Sequence, residues 1–329
     1  MRSLDLVATW PVGSASAGVL VRRAAPTGAP APAPAAASPP APVAASSRTP
    51  AAVPATATHP RPAGAVPVRG GVWLAGTAGE LDRRYRWASV TKLCTALAVL
   101  VAVEERTLAL DEPAGPPGAT VAHLLAHASG LGPEGLEVVA PVGRRRIYSN
   151  GGYEVLADLL EERAGMPFGE YLAEAVFVPL GMAGARLPPG SSPAAGVEGA
   201  LADLLALGTE LLSPTVVAAE TLGRATTVAF PGLVGVLPGY GRQDPCDWGL
   251  GFELRDAKEP HWTGARCSPE TFGHFGQSGT FLWVDPVAGV ACAVLADRDF
   301  GPWAVEAWPA LSDAVLGEVA ALEGGSSRG

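Results

Sequence analysis

Ser89 and Lys92 stand three residues apart at the head of a long apolar run. On a helix that spacing puts both side chains on one face. A lysine set among apolar residues is costly unless it is neutral or paired. Burial lowers a lysine pKa toward neutrality, where the amine can accept a proton. A serine beside such a lysine is an activated nucleophile. A helix N-terminus also favours negative charge developing there. A plain capping role for Ser89 fits the same residues, because serine is a preferred N-cap.

Two further segments could serve the same chemistry. In Tyr148-Ser149-Asn150 a tyrosine held near a serine-lysine pair can carry a proton between nucleophile and leaving group. The alternative is turn chemistry, with Asn150-Gly151 as a turn and Ser149 or Asn150 capping the next helix. In Thr271-Phe272-Gly273-His274-Phe275-Gly276-Gln277 the glycines suggest a strand that a ligand or another backbone approaches closely. Such an edge can offer a backbone N–H to an oxyanion. A bulged strand with a satisfied histidine is the other reading.

The elements that must position these residues can be read along the chain. Ala17–Arg22 reads as a strand, Gly71–Ala75 as a second, and Arg84–Trp87 as its hairpin partner. Leu93–Val103 is apolar on every face, which marks a central buried helix. Helices follow at Val121–Ala128 and Gly152–Ala164, the latter stopped by Gly165, and near 168–176 and 199–212. Thr271–Gly276, Thr280–Val284 and Val290–Ala296 read as strands, and Trp303–Ala321 as a closing helix. The layout is α+β. A mostly antiparallel sheet is assembled from N- and C-terminal segments, with flanking helices and an inserted helical region. The expected divisions are 1–23 with 67–92, a segment 24–66, a mainly helical region 93–245, and C-terminal strands and helix 246–329. Segment 24–66 holds 17 alanines and 11 prolines, a composition that cannot repay its ordering entropy, so a disordered insert is expected there.

Composition narrows the function classes. A formal net charge of −9 argues against a nucleic-acid binder. No uninterrupted apolar run reaches the roughly 18–20 residues of a membrane span. The first 22 residues lack the apolar stretch of a signal peptide, so a cytoplasmic location is expected, with export open if the start site lies elsewhere. Cys94, Cys246, Cys267 and Cys292 show no CxxC spacing and are expected to pack as small apolar residues. Gly130–Gly135 matches G-x-G-x-x-G but follows no strand, which disfavours a dinucleotide site. His123 and His127 lack the glutamate and third ligand of a zinc protease, so His127 is read as structural.

Taken together, the three segments resemble the serine beta-lactamase and penicillin-binding-protein superfamily, and most closely its class C beta-lactamase-related hydrolases. Ser89-Val90-Thr91-Lys92, Tyr148-Ser149-Asn150 and His274-Phe275-Gly276 are similar to its three motifs in order and spacing. His123–Leu131, Pro179–Met182 and Trp248–Phe252 are typical flanking segments. The resemblance implies a Ser89 acyl-enzyme, with Lys92 and Tyr148 sharing general-base work. It implies an oxyanion hole from the N–H groups of Ser89 and Gln277, beside Gly276. Asn150 would hold substrate, and His274 would stand where lactamases place a lysine. No cofactor and no metal are implied, and the substrate would be a small ester, amide or lactam. His274 and Phe275 replace a cation and a hydroxyl residue, which disfavours a substrate carboxylate at that point. Arg144-Arg145-Arg146 could restore such a contact or form a solvated loop. A catalytically silent binding module on the same fold is the competing reading. The joint presence of Ser89, Lys92 and Tyr148 favours the enzyme. The oligomeric state is left open.

Overall fold

The computed structural model describes residues 1–22 and 65–326. A 3-10 helix at Arg2–Thr9 leads into β1 (Ala15–Arg22). The expected disordered insert lies outside the described residues except at its end, where Val66 already belongs to β2 (Val66–Pro67). β3 (Val72–Ala78) and β4 (Tyr85–Arg86) follow. A 3-10 turn, Ala88–Val90, runs into α1 (Thr91–Glu104). Then come α2 (Val121–Leu125), α3 (Gly151–Ala164) and α4 (Phe168–Leu172). The last continues through a π turn at Ala173–Phe177 into α5 (Val178–Leu180). β5 (Glu198–Gly199), α6 (Leu201–Leu212), α7 (Ala219–Ala225), β6 (Gly235–Leu237) and β7 (Gly241–Gln243) complete the middle of the chain. The last third contributes β8 (Glu253–Leu254), β9 (Phe272–Gly276), β10 (Thr280–Asp285), β11 (Val290–Ala296) and α8 (Pro302–Ser326).

Seven strands form the main sheet in the order β2-β3-β1-β11-β10-β9-β8. Every pairing in it is antiparallel, and β1 from the N-terminal part lies against β11 from the C-terminal part. The mostly antiparallel α+β sheet with helices read from sequence is therefore the observed fold. The strands alternate between two cores, as the period-2 pleat requires. In β11, Ala291, Ala293 and Leu295 join one core, while Val290, Cys292 and Val294 join the other. The first core is shared with α1, α3 and α6. The second lies under α8 and the N-terminal 3-10 helix and is rich in aromatics, with Trp262, Phe275, Phe281, Trp283 and Trp308.

Three sequence expectations change. β4 is not the hairpin partner of β3; it pairs with β5, because the tyrosine-bearing strand is turned toward the helical part. α6 falls within the stretch assigned to the helical region, yet it packs on the sheet: the Leu205 side chain closes on Gly18 of β1, and Gly208 lets Leu20 and Leu282 approach. α7 and the short strands β6, β7 and β8 carry too little periodicity to be seen in sequence. The four cysteines are free and buried, as expected. Among the described residues, no helix is long and apolar enough to cross a membrane.

Candidate active site

The turn before α1 sets the site. Ala88 adopts φ +45°, a left-handed conformation that is costly for a residue with a Cβ. Side chains from the β9–β10 hairpin pin this turn from outside. Thr280 Oγ1 donates to the Trp87 carbonyl at 2.9 Å, and Ser278 Oγ donates to the Arg86 carbonyl at 2.7 Å. Gly276 is needed here, since a Cβ would run into the Trp87 carbonyl. The strand end carrying Gln277 is thereby held against the turn that carries Ser89. The Gln277 carbonyl accepts from the Phe300 N–H.

Lys92 lies one turn further on and is fully buried. Its Nζ donates to Asn150 Oδ1 at 2.6 Å and to the Ala194 carbonyl at 2.9 Å. Neither acceptor is charged. Burial lowers the Lys92 pKa to about 7, opposed by the more distant Glu134 and Glu154. A neutral amine has two N–H groups and one lone pair. The two acceptors match the two N–H groups, which leaves the lone pair for a proton. The rings of Tyr148 and Tyr153 lie 4.7 and 5.3 Å from Nζ and can stabilise it once it is charged.

Burial raises the Tyr148 phenol above its ordinary value, and the Ser89 side chain beside it pulls it back. The hydroxyl makes no hydrogen bond of good geometry among the described residues. The His127 ring packs at a tilt against the Tyr148 ring, 4.7 Å between centres. Its Nδ1 accepts the Ser149 N–H at 3.1 Å, so the neutral ring carries its proton on Nε2. Burial, Lys92 and His274 hold His127 well below the usual histidine range. The structural reading of His127 stands: it fixes the backbone that presents Tyr148.

Asn150, expected to hold substrate, has both ends of its amide engaged within the site. One end of its amide holds Lys92, and Nδ2 donates to Glu134 Oε1 at 2.7 Å. It therefore positions the lysine. Glu134 was not singled out in sequence, because it sits in the loop Gly130–Gly135 that only mimicked a phosphate-binding pattern. That loop lies close over Gly151, where any Cβ would meet the Gly135 carbonyl.

His274 is on the same face of β9 as Phe272, toward α1, while Phe275 points into the aromatic core under α8. Phe275 thus fills core space and presents no group to the site. His274 Nδ1 bonds the Phe275 carbonyl at 2.7 Å, and its Nε2 has no partner among the described residues. Burial and the nearby Lys92 lower its pKa to about 3, so it is a neutral ring. It lies 5.8 Å from the Tyr148 ring, in contact through packing and not through a hydrogen bond.

The arginine run divides. Arg144 and Arg145 are exposed, as a solvated loop requires. Arg146 is buried and donates to the carbonyls of Ala126, Ala229, Phe230 and Cys246. It ties three segments behind Tyr148, a role that no sequence signal distinguished from its neighbours.

The chain is similar to several known proteins. Residues 55–316 match the model of the Beta-lactamase family. The crystal structure of a beta-lactamase from Mycobacterium bovis is 45% identical, with a TM-score of 0.80, covering 96% of this chain and 99% of that one. EstCE1, a hydrolase with promiscuous acyltransferase activity, is 20% identical with a TM-score of 0.59, covering 72% and 86% of the two chains, and shares the fold. Penicillin-binding protein 4* of Bacillus subtilis (strain 168) is 28% identical over 131 residues, which is 30% of this chain and 29% of that protein.

Proposed function

The chain belongs to the beta-lactamase family, and from that premise we propose that it is a serine hydrolase working through a Ser89 acyl-enzyme. The observation that carries the reading is the pairing of Lys92 with two neutral acceptors, which leaves its lone pair free. Lys92, directly or through Tyr148, takes the Ser89 proton as Oγ attacks a carbonyl carbon. The C–O or C–N bond to the leaving group then breaks, and the leaving group receives that proton by way of Tyr148. Water attacks the ester so formed, gives its proton to the same base, and releases the acid and Ser89. The N–H groups of Ser89 and Gln277 hold the oxyanion in this reading, which the side-chain bonds tying the β9–β10 hairpin to the turn before α1 support. Neutral His274 shapes the wall beside Tyr148.

With no cation at position 274 and Phe275 turned into the core, small neutral esters and amides fit the reacting centre better than penicillin-like carboxylates. The test is a panel of 4-nitrophenyl esters beside a chromogenic cephalosporin, with Ser89→Ala as control. Ester turnover is expected, with Ser89→Ala lowering it by about 10⁶-fold. Equal turnover in the variant would contradict the reading, and absence of turnover on every substrate would favour a silent binding module.

A further inference from the structure

Arg144, Arg145 and Arg242 line a cavity of about 950 Å³ whose wall includes Tyr148 and Pro133. The cavity therefore borders the site through Tyr148, whose hydroxyl itself is buried and lies beside Ser89. Its size suits a small-molecule arm. No aspartate or glutamate lines it. Arg144 and Arg145 are exposed and have no carboxylate partner among the described residues. Arg242 is paired with Asp244 at 2.8 Å, but both are exposed, and such a pair competes weakly for its cation. Buried Arg146 lies beneath, spent on carbonyls, and holds the loop that carries the two free arginines.

Three arginines lining one cavity, with no acidic residue among its lining, stand out in a chain of net charge −9. Arginine is suited to a carboxylate through its planar fork of donors. Between the arginines the walls are apolar, from Ile147, Val234 and Pro238. Resting on the proposed Ser89 chemistry, we infer that this cavity selects substrates bearing a carboxylate on an apolar arm, either on the acyl side or on the leaving group. The anion is read at a distance from the reacting carbonyl, by the 144–145 loop, and not at His274.

The test compares wild type with the Arg144→Ala/Arg145→Ala double variant, folding being checked by circular dichroism. Two ester pairs differ only by a carboxylate or its nearest neutral replacement: 4-acetoxybenzoate against phenyl acetate, and mono-4-nitrophenyl glutarate against 4-nitrophenyl butyrate. The preference in kcat/KM for the charged member of at least one pair should fall about tenfold or more in the variant, through KM, and fall likewise with added salt. In parallel, calorimetry measures 4-hydroxybenzoate and glutarate binding to Ser89→Ala protein, with and without the arginine changes. Binding weakened by loss of the arginines supports the cavity even if no ester is turned over, in which case the hydrolase reading alone fails. Ester turnover with unchanged charged-to-neutral ratios in both pairs, and binding of both anions unaffected by the arginines, overturns the cavity alone.

Discussion

The chain has only two lysines, and both are buried, yet their surroundings are opposite. Lys258 lies 2.9 Å from Glu253 Oε1 and also donates to the Asp247 and Leu254 carbonyls. Glu253 is further held by His261 and by Trp262 Nε1, each at 2.9 Å. Burial alone would raise the Glu253 pKa, but His261 and Lys258 outweigh it and hold the carboxyl at about 2. Lys92 has no carboxylate in bonding range, only an amide oxygen and a backbone carbonyl. One lysine is paired with a carboxylate where the chain leaves β8. The other is held by burial near a pKa of about 7, which is what the proposed proton acceptor requires. What separates a structural lysine from a reactive one is the charge of its acceptors, not its depth.

Several substitutions would break or sharpen that contrast. Lys92→Met should lower ester turnover by about 10⁴ to 10⁶-fold in steady-state assays. The same change should stabilise the fold. The folded-state pKa of about 7 lies below the ordinary lysine value of 10.5, so the folded chain binds fewer protons than the unfolded one between those values. Stability contributed by this group therefore rises with pH across that window and is lowest below about 7. Removing the lysine should gain about 1 kcal/mol or more near neutral pH, read as a higher denaturant midpoint. A fall in that midpoint would mean that Lys92 is a structural group.

Lys258→Met should do the reverse, destabilising the fold by about 3–5 kcal/mol by leaving Glu253 buried with less compensation. Denaturant unfolding measures it. Glu253 itself contributes stability that is complete above its ordinary value of 4.5 and is lost as pH falls toward about 2. Asn150→Ala should reduce kcat by about 10–100-fold, the loss of a hydrogen bond that holds the base. The smallest effects should be seen in the acid limb of kcat/KM, expected near pH 7 where Lys92 gains its proton. Glu134 raises the Lys92 pKa, so Glu134→Gln should move that limb to lower pH. Asn150→Asp should move it upward by placing a charge at the acceptor.

The contrast also marks what the sequence could tell. Ser89, Lys92 and Tyr148 stood out in the sequence because a lysine in an apolar helix needs a reason, and the fold brings the three side by side. The main strands and α1 were legible because they are sustained apolar runs, buried on every side in the fold. The Glu253–Lys258–His261 cluster was not, since its partners come from an irregular stretch whose spacing carries no pattern. The bond from Asn150 to Glu134 was not legible, because the two residues are 16 apart along the chain and no spacing links them. Arg146 and Arg145 are neighbours of one type, and only the fold decides that one is buried among carbonyls and the other faces the cavity. β4 was placed with β3 because short strands take their partner from tertiary contact, here β5.

The most direct measurement is the pH dependence of fluorophosphonate labelling, followed by intact mass, on wild type, Ser89→Ala, Lys92→Met and Lys258→Met proteins. The account predicts one adduct on wild type, located at Ser89, whose rate rises with pH through a midpoint near 7. It predicts no adduct on Ser89→Ala, almost none on Lys92→Met, and a wild-type rate for whatever fraction of Lys258→Met remains folded. An adduct that persists in Ser89→Ala, or a labelling rate that is the same with and without Lys92, would contradict it.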